Sequence, residues 1–191
     1  MAVKIHIGKR VLDIILIGFI LLMVFFPGIR TPVMGFAQRA LLQTGLFNAS
    51  AEKNLSSATF DYQLRLSDAE GQPLNPDLLK GKTLFINVWA TWCPPCLAEM
   101  PDIAELYQQV GGNATFLMIS VDRDREKARR WIEKKQYAFP IYFVEGRLPS
   151  TLSYQAIPTT WVIGSDATIR YQHSGMAQYN TKAFRDFLQS L

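Results

Sequence analysis

Apolar residues fall along this chain in runs of three kinds. The first, Val11 to Ile29, reads VLDIILIGFILLMVFFPGI and is apolar apart from Asp13 and small glycines. The second kind is short and bounded by turn residues. Thr83-Leu-Phe-Ile-Asn-Val-Trp89 is its clearest case, apolar at nearly every position, as in a central strand buried on both faces. The third is longer and helical in spacing, as in Leu97 to Val110 and around Ala128, Trp131 and Ile132. Together they predict strand 83–89, helix 94–110, strand 114–121, helix 124–136, strands 140–144, 160–163 and 168–173, and helix 180–190. A hairpin-like stretch, FDYQLRL then EGQPL, precedes them. Alternating strands and helices predict an α/β domain, a central sheet with helices on both faces. Residues 58–191 are ample for one core. There is no internal repeat, Walker-type loop or low-complexity tract.

The first run sets an expectation about place. Its uninterrupted core, Ile14 to Phe26, is 13 residues long, and with flanks it reaches about 19, close to the ~20 that cross a bilayer. Lys4, Lys9 and Arg10 precede it, which favours an inside amino terminus. The expected organisation is a cytoplasmic stub at 1–10, a transmembrane signal-anchor at 11–29, a connector at 30–57 and the folded domain at 58–191. Within the connector, Pro32 to Phe47 has the composition of a short amphipathic helix at the membrane surface. The anchor is expected to stay uncleaved, with the domain on the extracytoplasmic side of the cell membrane. Net charge is +4, but residues 1–30 hold four basic and one acidic residue, and the rest 16 against 15. The basic balance therefore gives no ground for a nucleic-acid partner. The run Arg123 to Arg130 mixes signs and reads as the wet face of a helix.

The chemistry lies in Trp92-Cys93-Pro94-Pro95-Cys96, which holds both cysteines of the chain. Two cysteines at this spacing, at a strand-to-helix turn, form a redox pair. Cys93 falls just ahead of the first helical turn, where free N–H groups and the helix dipole favour a thiolate. Cys96 falls one turn inward and resolves the mixed disulfide that Cys93 forms. Pro94 and Pro95 suit a first turn and remove two donors from the sulfur, which predicts a reductant rather than an oxidant. A zinc knuckle would need a second pair of ligands, and a two-residue loop makes a poor structural disulfide. No metal and no small cofactor is required.

Phe85-Ile-Asn-Val-Trp-Ala-Thr-Trp-Cys-Pro-Pro-Cys-Leu-Ala-Glu-Met-Pro101, with Leu79-Lys-Gly-Lys82 before it and Ile157-Pro158-Thr159-Thr160-Trp161-Val-Ile163 after it, resembles the membrane-anchored thioredoxin-like oxidoreductases of the TlpA and ResA branch. The resemblance covers roughly 58–191 and implies a thioredoxin-like fold. By position it implies that Pro158 is the cis-proline beside the active site, and that the Ile157 backbone pairs with an extended substrate. Trp92 then covers the active-site surface, with Pro94 and Pro95 at the same margin. Pro101 matches the proline that kinks the active-site helix. Where thioredoxins carry a buried Asp, this chain has Asn87. Glu99 lies three residues after Cys96. Spacing alone leaves open a solvated glutamate or a proton acceptor for Cys96, and the resemblance implies the second. Asp166-Ala167 departs from a turn that often holds glycine.

The expected activity is reduction of disulfides in exported proteins, with apocytochrome c a candidate substrate, recharged by a membrane dithiol donor. Two other readings are a redoxin-type thiol peroxidase, for which Thr91 is suggestive, and a tethered metallochaperone using the two cysteines and His173.

Overall fold

Every side chain of strand β2, Thr83–Trp89, is buried, so it can only be a central strand. In the computed structural model, which describes residues 9–25, 48–49 and 58–191, β2 pairs in parallel with β3, Ala114–Ser120, along its whole length. On its other side it pairs antiparallel with β5, Thr159–Ile163. With β1 (Leu66–Ser67), β4 (Ile141–Val144) and β6 (Ile169–Ser174), the sheet is mixed, in the order β1-β4-β3-β2-β5-β6. The domain's helices are α2 (Pro94–Val110), α3 (Arg125–Lys135) and α4 (Lys182–Gln189). Side-chain caps start two of them. Asp124 accepts from the Lys127 N–H at 3.2 Å, and Thr181 from the Phe184 N–H at 3.2 Å. Apart from β1, each of these elements agrees with its predicted span to within two residues.

One expectation is corrected, and another is met only in part. Helices do not cover both faces of the sheet. Ala128 and Ile132 of α3 and Phe184 and Leu188 of α4 join the same buried cluster as Cys96, Met100 and Ile103 of α2. The reason is topological. The β2–α2–β3 and β3–α3–β4 crossovers step the same way across the sheet, and right-handed crossovers then place both helices on one face. The opposite face, with Leu84, Ile86 and Val88, is covered by Phe60, Leu64 and Leu66 and by Leu79 and Leu152 of two 3₁₀ turns. The expected hairpin after Thr59 forms, but only at its tip: Ser67 bridges Pro73 antiparallel, with the Leu74 N–H to the Leu66 carbonyl and the Asp68 N–H to the Gln72 carbonyl, each at 2.9 Å. Only Leu66–Ser67 becomes a strand, and it pairs with β4. Asp61 accepts from the Gln63 N–H, a local side-chain bond that keeps the first arm short, while Asp68 accepts from the N–H groups of Glu70 and Gln72 and closes the turn.

Helix α1, Lys9–Phe25, lies within the first apolar run. At 17 residues it is about 25 Å long, against a hydrocarbon core of ~30 Å. Among the described residues no helix is long and apolar enough to cross a membrane. Residues 26–29 of the expected span, and the expected surface helix from Pro32 to Phe47, lie outside the described residues.

Candidate active site

The carboxyl end of β2 runs through Ala90-Thr91-Trp92 into α2, and Cys93 is the cap of that helix. Its Sγ accepts from the Cys96 N–H at 3.3 Å. Pro94 and Pro95 fill the first two helical positions, so Cys96 supplies the donor that the prolines cannot. The pair is closed as a disulfide. Cys93 is 4% exposed and Cys96 wholly buried, so an incoming group meets Cys93 first. Trp92 beside it is 59% exposed. Trp89, by contrast, is core and packs against Trp131 of α3.

A second element closes the site. Pairing of β2 with β5 sets Val88 opposite Thr159, which carries the preceding Ile157-Pro158 to the end of β2. That peptide bond is cis. The Ile157 carbonyl oxygen lies 3.6 Å from Cys93 Sγ. Ile157 is partly exposed and Pro158 buried. The loop is fixed from behind by the Thr159 hydroxyl, which donates to the Ala156 carbonyl at 2.7 Å.

Beneath the sulfurs is a polar group inside an apolar core. Glu99 is fully buried, one turn along α2 from Cys96. Its Oε1 accepts from Asn87 Nδ2 at 2.8 Å and its Oε2 from the Ala177 N–H at 3.1 Å. Asn87 Nδ2 also donates to Thr160 Oγ1 at 2.9 Å, while Asn87 Oδ1 faces no donor. Burial pushes the Glu99 carboxyl up to about 8, and the two N–H bonds only partly oppose it. The solvated glutamate that spacing left open is therefore not what the fold contains. Pro101 lies inside α2, next to the buried Met100.

Three neighbours carried no legible signal in the sequence. Asp122 is buried after β3; it accepts from the Thr91 N–H at 2.8 Å, from the Thr91 hydroxyl at 2.6 Å and from Ser120 Oγ at 2.9 Å. Thr160 and the Ala177 backbone reach the site only through tertiary pairing. His173 stands on β6 opposite Thr160, and among the described residues no three His, Cys, Asp or Glu side chains cluster as a metal site.

The sequence model of the family described as Redoxin matches residues 47–187. The thiol:disulfide interchange protein DsbE of Escherichia coli is 33% identical over 117 residues, 60% of this chain and 62% of the relative. The match thus spans less than two thirds of that relative. The thiol-disulfide oxidoreductase ResA of Halalkalibacterium halodurans is 26% identical over 164 residues, 84% of this chain and 93% of the relative. A secreted disulfide oxidoreductase of Mycobacterium tuberculosis, homologous to E. coli DsbE, superposes with a TM-score of 0.56 at 20% identity, over 68% of this chain and 97% of that one, a likeness of fold.

Proposed function

The chain belongs to the redoxin family, and from that premise we propose that it is a thiol-disulfide oxidoreductase reducing disulfides of exported proteins through Cys93 and Cys96. One observation carries the reading: a sulfur at the start of α2, 3.3 Å from the Cys96 N–H and 3.6 Å from the Ile157 carbonyl. In the reduced protein the Cys93 thiolate attacks one sulfur of a substrate disulfide. A mixed disulfide forms, and the other substrate sulfur leaves as a thiolate that takes a proton from water. Cys96 gives up its proton, with Glu99 as relay, because a carboxyl near 8 is close to an ordinary thiol in basicity. The Cys96 thiolate then attacks Cys93 Sγ and expels the second substrate sulfur. Two electrons and two protons have passed to the substrate, and the pair ends as the disulfide. A dithiol donor in the membrane returns them by the reverse exchange.

An extended substrate pairs with the Ile157 backbone beside Pro158, as an added strand does at a sheet edge. Trp92, Pro94 and Pro95 offer it an apolar margin. The TlpA and ResA branch that the sequence resembles includes the cytochrome c maturation thioredoxins, which makes apocytochrome c one such substrate. Residues 58–191 act as the redox domain, held by an anchor at 11–29 on the extracytoplasmic side of the cell membrane. Support for the anchor comes from α1, where consecutive Ile14, Ile15, Leu16 and Ile17 are all exposed, so its surface is apolar all round. The peroxidase reading needs Thr91 to activate Cys93, but the Thr91 hydroxyl donates to Asp122.

Trapping tests this reading. The full chain with Cys96→Ser should hold exported proteins as mixed disulfides that a reductant releases. The adducts should vanish when Cys93 is also replaced. Recovery of no adduct, or of cytosolic proteins alone, would count against it.

A further inference from the structure

Beside the dithiol, the carboxyl ends of the parallel strands β3 and β4 open into a cleft of about 600 Å³. Crevices outside the carboxyl ends of parallel strands are where open α/β sheets take ligands. Three arginines line it, Arg123, Arg125 and Arg147, against one acid, Asp122. Asp122 is already committed to Thr91 and Ser120. Arg125 is committed too, to Glu145 at 2.6 Å, with its guanidinium over the Phe143 ring. Arg123 and Arg147 are exposed, and among the described residues neither pairs with a carboxylate. Two uncompensated guanidinium groups at the rim of one cleft suit planar, bidentate carboxylates.

Two walls of the cleft are connected to the active site. Val121 donates to the Trp89 carbonyl at 2.9 Å, and Asp122 holds Thr91, two residues before Cys93. Ser153 and Tyr154, on the opposite wall, begin the loop that ends at Ile157 and Pro158.

We infer that this cleft docks an acidic segment of the protein whose disulfide Cys93 attacks, with Arg123 and Arg147 binding its Asp or Glu carboxylates at a short offset from the reacting cysteine. The inference rests on the proposed exchange reaction and adds a preference among its substrates.

The test uses the reduced full chain and two synthetic peptides, each closed by one internal disulfide. One carries aspartates at both ends, the other asparagines in their place. At low salt the acidic peptide should be reduced about tenfold faster, and about 0.5 M salt should remove the advantage. Arg123→Gln with Arg147→Gln should bring the ratio of the two rate constants to about one. Lys134→Gln with Lys135→Gln, which removes the same charge from the far end of α3, should leave the ratio as it was. A native ratio near one, a ratio that survives loss of both arginines, or an equal fall with the lysine pair would overturn the inference. Reduction of neither peptide would instead overturn the exchange reaction itself, and this inference with it.

Discussion

At the scale of single residues, the controlling group is Glu99. A glutamate in the unfolded chain ionises near 4.5, and in the fold the same group ionises near 8. Between those values the folded state holds the extra proton. Stability contributed by the neutral carboxyl is thus full below about 4.5 and is lost as pH rises toward 8, on the order of a few kcal/mol. Glu99→Gln removes that loss. Thermal unfolding of the oxidised protein should show the variant gaining on the native protein from pH 5 to pH 9; a difference independent of pH would mean that Glu99 does not titrate in this window. The neighbourhood can accept the exchange. Asn87 Nδ2 faces both Glu99 Oε1 and Thr160 Oγ1, and rotating the Asn87 amide puts Oδ1 there to accept from both. The same substitution should slow resolution of a mixed disulfide at neutral pH in stopped-flow traces. Asn87 and Glu99 stood out in the sequence by their spacing to the cysteines. Their bond did not, because it depends on how closely α2 packs on β2.

At the scale of elements, the start of α2 decides the character of the thiol. Cys93 Sγ receives one helical N–H, from Cys96, because Pro94 and Pro95 have none. Pro95→Ala restores a second donor at the helix terminus. A hydrogen bond to a charged group is worth about 1.5 kcal/mol, so the Cys93 pKa should fall by about one unit. The better-stabilised reduced form should raise the potential by about 30 mV. Thiolate absorbance against pH and equilibration with glutathione read the two quantities, and no shift in either would remove the prolines from the account. The turn between β5 and β6 gives a separate prediction. Ala167 sits at φ 65°, a left-handed conformation that glycine adopts without cost, held by its N–H to the Gly164 carbonyl at 2.9 Å. Ala167→Gly should therefore stabilise the domain by about 1 kcal/mol in denaturant titrations. Elements of this kind were legible because strand and helix periods differ and caps and prolines mark helix starts. The stretch after Thr59 was legible as a hairpin but not in its length, since Asp61 takes the Gln63 N–H into a local turn and only the tip, Ser67 against Pro73, keeps the pairing.

At the scale of the whole molecule, the pattern of runs indicated a sheet with helices, but not which face they would take. Face is set by the direction of successive crossovers, and that follows from strand order, which no local period encodes. The arginine cleft was hidden for a similar reason, as Arg123 and Arg147 meet only when β3 and β4 lie side by side. The amino-terminal segment is the opposite case, where composition predicts an apolar helix and α1 is one. Water is a poor environment for a helix that exposes Leu12, Leu16 and Phe25 as well as Ile14, Ile15 and Ile17. The domain has its own buried core and needs no cover from it. In the proposed anchor an acyl environment relieves that exposure, with the basic Lys4, Lys9 and Arg10 on the inner side. The full chain should accordingly stay with the membrane after an alkaline wash. Ile15→Arg with Leu22→Arg should shift it toward the soluble fraction, since each charge at mid-span costs about 3 kcal/mol. With Cys96→Ser, Cys93 should react with a membrane-impermeant maleimide in spheroplasts that are still sealed. Labelling only after lysis would place the sulfur on the cytoplasmic side, and a native chain recovered in the soluble fraction would leave the apolar helix to find its cover in a protein instead.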